Sequence, residues 1–196
     1  MVTRSGLSDR LRRGVDRIRG LDYLETVRAE EVGLDPTEVH PSSASSATHL
    51  RPVLRSLGDV SSSSVLDIGA GKGQAMRTLR SFPFERVDGI ELSPELVTVA
   101  RRNLRGRAAT RSTVFEGDAR TFDGYGSYQV LYLYNPFPEA VMGDVVAQIA
   151  RQITGPITVV YNAPRCEDQL IAGLDLVRTA EHPGSSGNVI AVYRSR

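Results

Sequence analysis

From Ser64 to the end of the chain, short β-branched runs alternate with amphipathic helical runs. That alternation is the pattern of a parallel sheet whose strands are joined by crossover helices. "SVLDI" (Ser64–Ile68) reads as a first strand and Gly73–Arg80 as a helix with Ala75, Met76 and Leu79 inward. "RVDGIE" reads as a second strand. The helix "SPELVTVARRNL" follows, with Ser93 as its cap, Pro94 in its first position and Glu95 near its positive end. "STVFEGD", "YQVLYLY" and "PITVVYN" give three further strands. A helix opened by Pro138 lies between the last two, and a short helix begins near Glu167. The last two runs, "LDLVRTAEH" and "NVIAVYRS", are joined only by "PGSSG". So short a link holds no crossover helix, so these two strands must pair antiparallel. The expected fold is α/β: a Rossmann-like, seven-stranded, mostly parallel sheet with an antiparallel last strand, preceded by an N-terminal helical extension.

The first sixty residues read differently. Leu7, Leu11, Val15 and Ile18 recur at helical spacing, and Leu50, Val53, Leu54 and Leu57 form a second stripe. Pro52 requires that second helix to start near Thr48, so that proline falls in a first turn. We therefore divide the chain into an N-terminal helical extension or cap, residues 1–60, and an α/β domain, residues 61–196. Residues 1–20 hold six Arg against two Asp. A basic helix of that kind contacts anionic lipid or RNA, or it caps the sheet edge; Gly14 and Gly20 weaken it as a helix, and we favour the cap.

Composition closes several classes. A net charge of +1 gives no global field toward nucleic acid. The one cysteine, Cys166, allows no internal disulfide and fits a reducing compartment. No apolar run approaches the ~20 residues that span a bilayer, and the arginine-rich start lacks an apolar signal region. The expectation is a cytoplasmic protein. Three scattered histidines and one cysteine offer no metal-ligand spacing.

The chemistry concentrates at strand ends. Asp67 ends the first strand, and Gly69, Ala70, Gly71, Lys72 and Gly73 follow before a helix. Glycines there let a ligand approach the backbone, and the exposed amides favour a negative group. Glu91 ends the second strand, followed by Leu92. Asp118 and Ala119 follow the third, and Asn135-Pro136-Phe137-Pro138 the fourth. Each lies at the carboxyl edge of a parallel sheet, where such folds bind ligands. A dinucleotide fingerprint would space its glycines Gly-x-Gly-x-x-Gly; here the spacing is Gly69-x-Gly71-x-Gly73.

"DIGAGKG" resembles motif I of the class I S-adenosylmethionine-dependent methyltransferases. "YLYNPF" and "VVYNAP" resemble later elements of a bacterial group within that family. The resemblance covers about Val65 to Val141 and implies S-adenosylmethionine as cofactor and methyl transfer as activity. It implies that Asp67, Gly69, Ala70, Gly71 and Gly73 hold the methionine part and adjacent ribose, Glu91 and Leu92 the ribose, and Asp118 and Ala119 the adenine. Asn135 and Phe137 would then face the acceptor, Asn135 also meeting the cofactor. The family's Asn-Pro-Pro-aromatic element holds a nitrogen. Here Phe137 replaces the second proline and Pro138 the aromatic residue, so a nitrogen acceptor is one hypothesis.

Two other readings stand beside it. One is an NAD(P)-dependent oxidoreductase, weakened by the glycine spacing and by the lack of a Tyr-x-x-x-Lys pair in a chain whose sole lysine is Lys72. The other is a non-catalytic cofactor-binding module. The methyl acceptor, a small molecule or a protein, and the oligomeric state are not specified. Lys72 is expected to be solvent-exposed, with the donor's carboxylate as a second option. His40 and His49 flank a serine-rich segment that could fold over the cofactor and supply a base, although surface positions are the plainer reading. Cys166 is expected to be inert. Tyr134 and Tyr161 are the better candidates among the strand tyrosines to line an acceptor pocket.

Overall fold

A computed structural model describes residues 21–23, 27–40, 45–106 and 109–196. The helix expected over residues 7–18 and the first part of the serine-rich segment lie outside the described residues. Seven strands form one sheet in the order β3-β2-β1-β4-β5-β7-β6. They are β1 (Ser64–Ile68), β2 (Arg86–Glu91), β3 (Val114–Glu116), β4 (Val130–Tyr134), β5 (Thr158–Asn162), β6 (Leu176–Pro183) and β7 (Val189–Ser195). The pairs from β3 across to β5 are parallel, whereas β7 runs antiparallel to both β5 and β6. The short link after Pro183 thus forces the reversal that its length implied.

The five α-helices among the described residues cover both faces. They are α1 (Ala47–Ser56), α2 (Gln74–Leu79), α3 (Pro94–Asn103), α4 (Glu139–Gln152) and α5 (Glu167–Leu174). Every residue of β1 is buried, as a central strand with helices on both sides requires. Its alternate side chains serve two cores. Leu66 and Ile68 pack with Leu131, Val145 and Ile149 under α4. Val65 packs with Leu54, Met76 and Val97 under α1, α2 and α3. Each core residue of this kind contributes ~1.5–3 kcal/mol on burial.

Local signals explain the helix starts. The Ser93 hydroxyl accepts the Leu96 amide at 3.3 Å, and Pro94 occupies the first turn of α3. Pro138 caps α4 rather than entering it, which suits a residue with no amide to donate. Pro52 departs from the expectation. α1 starts at Ala47, so Pro52 stands in its second turn and leaves the Thr48 carbonyl without its usual partner. Burial of Leu50, Val53 and Leu54 against the sheet side outweighs that loss. α1 therefore packs as part of the same helical layer as α2, against α2, β6 and β7.

Candidate functional site

Strand order reverses between β1 and β4, which places their carboxyl ends beside a crevice. A cleft opens there. Its lining includes Asp67 near the end of β1 with Gly69 and Ala70 after it, Glu91 at the end of β2 with Leu92 after it, and Asp118 and Ala119 after β3. Phe137 and Tyr134 close one side. The N-terminal segment contributes Val27, Val32, Leu34, Glu38 and His40 to the lining.

The glycine loop is shaped by close approach. Gly69 has φ +77°, and a Cβ there would lie 2.7 Å from Cβ of Pro136. A side chain at Gly69 would therefore push apart the two loops that flank the cleft. Gly73, at φ +81°, caps α2. The amides of Gly69 and Ala70 both donate to the Ile90 carbonyl at 3.0 Å. Glu91 completes the turn: its carboxylate accepts the Gly71 amide at 2.8 Å and the Ser93 amide at 2.9 Å. Burial raises the Glu91 carboxyl above its ordinary value, opposed by the Ser93, Gly71 and Leu92 amides.

Asp67 and Gln74, both lining the cleft, each keep a buried side-chain oxygen without a partner, and Asp67 is the acid of the two. It is 2% exposed, and its Oδ2 has no hydrogen-bond partner. Burial, then the nearby Glu91 charge, pushes its carboxyl up to about 8, against a lowering by the Met76 amide. A buried acceptor with no donor costs ~1–3 kcal/mol. Aimed at a cleft, it fits a site awaiting a donor from a ligand.

Asp118 is in the opposite state. Its carboxylate takes the Arg120 amide at 2.8 Å and the Arg120 guanidinium at 2.7–2.8 Å. Partial burial raises its carboxyl, but the Arg120 hydrogen bonds and charge outweigh this and hold it below the usual range. Arg120 also reaches Glu38 at 3.3 Å, tying the N-terminal segment to this end of the cleft. The His40 amide adds a second tie, donating to the Pro136 carbonyl at 3.0 Å.

The structure gathers most of the sequence-derived residues and leaves three aside. Gly71, Gly73 and Asn135 do not line the cleft. Gly71 and Gly73 act through backbone geometry. Asn135 takes φ +37° and its Oδ1 accepts the Tyr161 hydroxyl at 3.4 Å. Tyr161 is fully buried and does not line the cleft either, whereas Tyr134 does. Lys72 corrects its expectation of exposure: it is 7% exposed, lines the cleft, and its Nζ lies 2.6 Å from Asp22 Oδ2.

Tyr132 is not among the strand tyrosines expected at the pocket. Its hydroxyl meets Ser45 at 2.8 Å and the Asn162 amide at 3.4 Å, and both Tyr132 and Ser45 reach the cleft. A tyrosine in a strand gives no sign of that link, because its partner Ser45 lies 87 residues away. Of the histidines, His40 lines the cleft. His49 pairs with Ser185 at 3.3 Å and His182 with Ser56 at 3.1 Å, both outside it. Burial pushes the Cys166 thiol up, away from the reactive thiolate. Among the described residues no cluster of His, Cys, Asp and Glu could hold a metal ion, and no helix is long and apolar enough to cross a membrane.

Residues 65–154 match a family model described as a methyltransferase domain. No curated protein matches the chain. Among solved structures, the chain is similar to an RNA methyltransferase from Salinibacter ruber in complex with S-adenosyl-L-homocysteine. The two are 24% identical over 74% of this chain and 90% of that one, with a TM-score of 0.54. The glycopeptide N-methyltransferase MtfA, complexed with S-adenosyl-L-methionine, is 17% identical over 78% and 94%, with a TM-score of 0.61. Magnesium protoporphyrin IX methyltransferase from Synechocystis PCC 6803, with bound S-adenosyl-L-methionine, is 15% identical over 75% and 76%, with a TM-score of 0.59. The class is thereby defined by fold: a Rossmann-like α/β methyltransferase fold, with a methyltransferase-domain sequence match inside it.

Proposed function

We propose that the protein is an S-adenosylmethionine-dependent methyltransferase. One observation carries the reading: the buried, unpartnered Asp67 oxygen faces a cleft floored by the glycine loop, inside the segment that matches a methyltransferase domain. The cofactor, when bound, supplies a methyl group on a sulfonium, open to in-line attack by an acceptor's lone pair. The protein's work is then to bind, orient and exclude water.

The residues divide that work along the cleft. Asp67 accepts from the donor's amino group. Gly69 and Ala70 admit the sulfonium end to close range of the backbone. Glu91 already spends one lone pair on each of two amides, and a carboxylate oxygen has a second to offer ribose hydroxyls. Leu92 and Ala119 flank the adenine, and Asp118 presents its remaining lone pairs to the ring's amino group. The acceptor enters where Phe137, Tyr134 and the segment carrying His40 line the cleft. The structural neighbours are named for acceptors as unlike as RNA, a glycopeptide and a porphyrin. A shared fold therefore leaves the acceptor to the loops around the cleft.

A nitrogen acceptor requires Asn135 to turn from Tyr161 into the cleft, where its carbonyl could receive an N–H. With an acceptor in hand, Asn135→Ala is expected to lower kcat at least tenfold and leave donor affinity within about twofold. Unchanged turnover removes Asn135 from the reaction. The reading as a whole is tested by calorimetric titration of the full chain with S-adenosylmethionine, S-adenosylhomocysteine and NAD. Binding of the two sulfur compounds is expected. Binding of NAD alone overturns the reading in favour of the oxidoreductase.

A further inference from the structure

The net charge of +1 conceals an uneven distribution. Residues 80–111 hold seven arginines and four acids. Three of those acids are set apart. Glu91 is buried at the cleft, Glu95 stands in the first turn of α3, and Asp88 is buried and paired with Arg86. Glu85, exposed, adjoins Phe84 in sequence.

Five of the arginines gather where α2 and α3 end and the chain turns toward β3. Arg101 and Arg102 stand in the last turn of α3, and Arg105 follows it. Arg80, at the end of α2, donates to the Leu104 carbonyl at 2.6 Å, and Arg111 donates to the Phe84 carbonyl at 2.7 Å. Arg101 donates twice to the Val114 carbonyl, at 2.8 and 3.2 Å. Backbone carbonyls thus fix three guanidiniums in place without cancelling their charge. Among the described residues none of the five forms an ion pair with a carboxylate, whereas Lys72, Arg86, Arg120, Arg178 and Arg196 each do. Burial lowers the Arg80 guanidinium from its ordinary value, Tyr23 opposes that, and the nearby Arg111 charge adds to it. Like charges held this close repel unless a counter-charge sits among them. The carboxyl ends of helices accommodate cations, so the cluster stands without acids and its charge stays available.

We infer that Arg80, Arg101, Arg102, Arg105 and Arg111 dock the phosphate backbone of a nucleic acid. A guanidinium presents a planar fork that matches phosphate oxygens. Several of them on one surface, uncompensated, suit a polymer of phosphates better than a single ion. An anionic membrane also presents phosphates, but binding in its interface buries an apolar face. The exposed large apolar side chain among the described residues is Val177, on β6 at the opposite edge of the sheet from β3. The arginine surface therefore carries charge without an apolar anchor. Docking there does not involve the methyl donor, so its failure leaves the methyltransferase reading standing.

The test is fluorescence anisotropy of a labelled RNA hairpin, and of a DNA hairpin of the same length, titrated with the full chain. The two probes distinguish the source of the phosphates. Binding of at least one is expected, weakening at least tenfold between about 50 mM and 200 mM salt. The double variant Arg102→Gln, Arg105→Gln removes two exposed guanidiniums that have no partner among the described residues. It is expected to bind at least fivefold more weakly, with a flatter salt dependence. The double variant Arg55→Gln, Arg151→Gln removes the same charge elsewhere and is expected to bind within about twofold of wild type. Binding of neither hairpin at the lower salt overturns the inference. Equal weakening in the two double variants also overturns it, because a non-specific attraction of the whole molecule gives that result. Binding to vesicles of phosphatidylserine and phosphatidylcholine, with neither hairpin bound, overturns it in favour of a membrane surface.

Discussion

The two ends of the cleft hold acids in opposite states. At the glycine-loop end, Asp67 is buried among backbone and apolar neighbours, its Oδ2 has no partner, and its carboxyl is pushed up to about 8. At the other end, Asp118 is 28% exposed, paired with Arg120 through both oxygens, and held below the usual carboxylate range. Both stand at the carboxyl ends of parallel strands of one sheet, so position in the fold does not set the difference. Neighbours do: Asp67 has desolvation and a like charge, whereas Asp118 has a guanidinium that also grips Glu38. One end is rigid and awaits a ligand's donor. The other is closed by side chains that a ligand must share or displace.

The largest expected effect is in the pH dependence of folding. A carboxyl whose pKa is raised on folding contributes stability that is fully present below its unfolded value and lost as pH rises through its folded value. For Asp67 the window runs from about 4 to about 8, so the ligand-free protein should lose stability across it. The slope is at most ~1.4 kcal/mol per pH unit from this one group. Chemical denaturation at a series of pH values checks it, and Asp67→Asn should flatten the slope. Asp118 has the opposite sign: its contribution is present above the ordinary carboxylate range and lost as pH falls through its lowered value. Asp118→Asn should therefore leave the pH 4–8 slope intact. A slope removed equally by both variants would break the contrast between the two ends.

Next in size is Gly69→Ala. The new Cβ meets Pro136 at 2.7 Å and the residue must hold φ +77°. A loss of ~2 kcal/mol in unfolding free energy is expected, with donor affinity lowered at least tenfold because the loops on both sides of the cleft must shift. Affinity retained despite the stability loss would place the ligand away from the loop. The smallest effect belongs to Glu38→Gln. The Arg120–Glu38 contact is solvent-accessible, and such pairs contribute ~0.2–1 kcal/mol. Its loss should change donor affinity less than threefold, and that change should shrink in high salt. A larger, salt-independent loss would show that the exposed end is as tightly built as the buried one.

The alternation of strand and helix was legible because it depends on local periodicity: β2, α3 and β4 lie where their apolar patterns put them. The antiparallel β7 was legible from a link too short for a helix. The loop residues of the cleft floor were legible because glycines and acids at strand ends mark the carboxyl edge of a parallel sheet. The N-terminal wall was not. Nothing local says that Val32, Glu38 and His40 line the same cleft as Phe137, or that Ser45 meets Tyr132. Lys72 read as exposed because lysines usually are, and its burial depends on Asp22 and Asn103, 50 and 31 residues away. Asn135 read as cleft-facing from its motif position, yet a positive φ turns it to Tyr161.

By itself the sequence determined the order of strands and helices, the reversal of the last strand and the edge at which acids and glycines collect. These follow from side-chain period, chain length and backbone freedom, which act over a few residues. Only the tertiary structure decided which acid is left with an open oxygen, which is paired, and which way the single lysine points. Those outcomes depend on desolvation and on charges brought together from distant segments, and both exist only once the chain has packed.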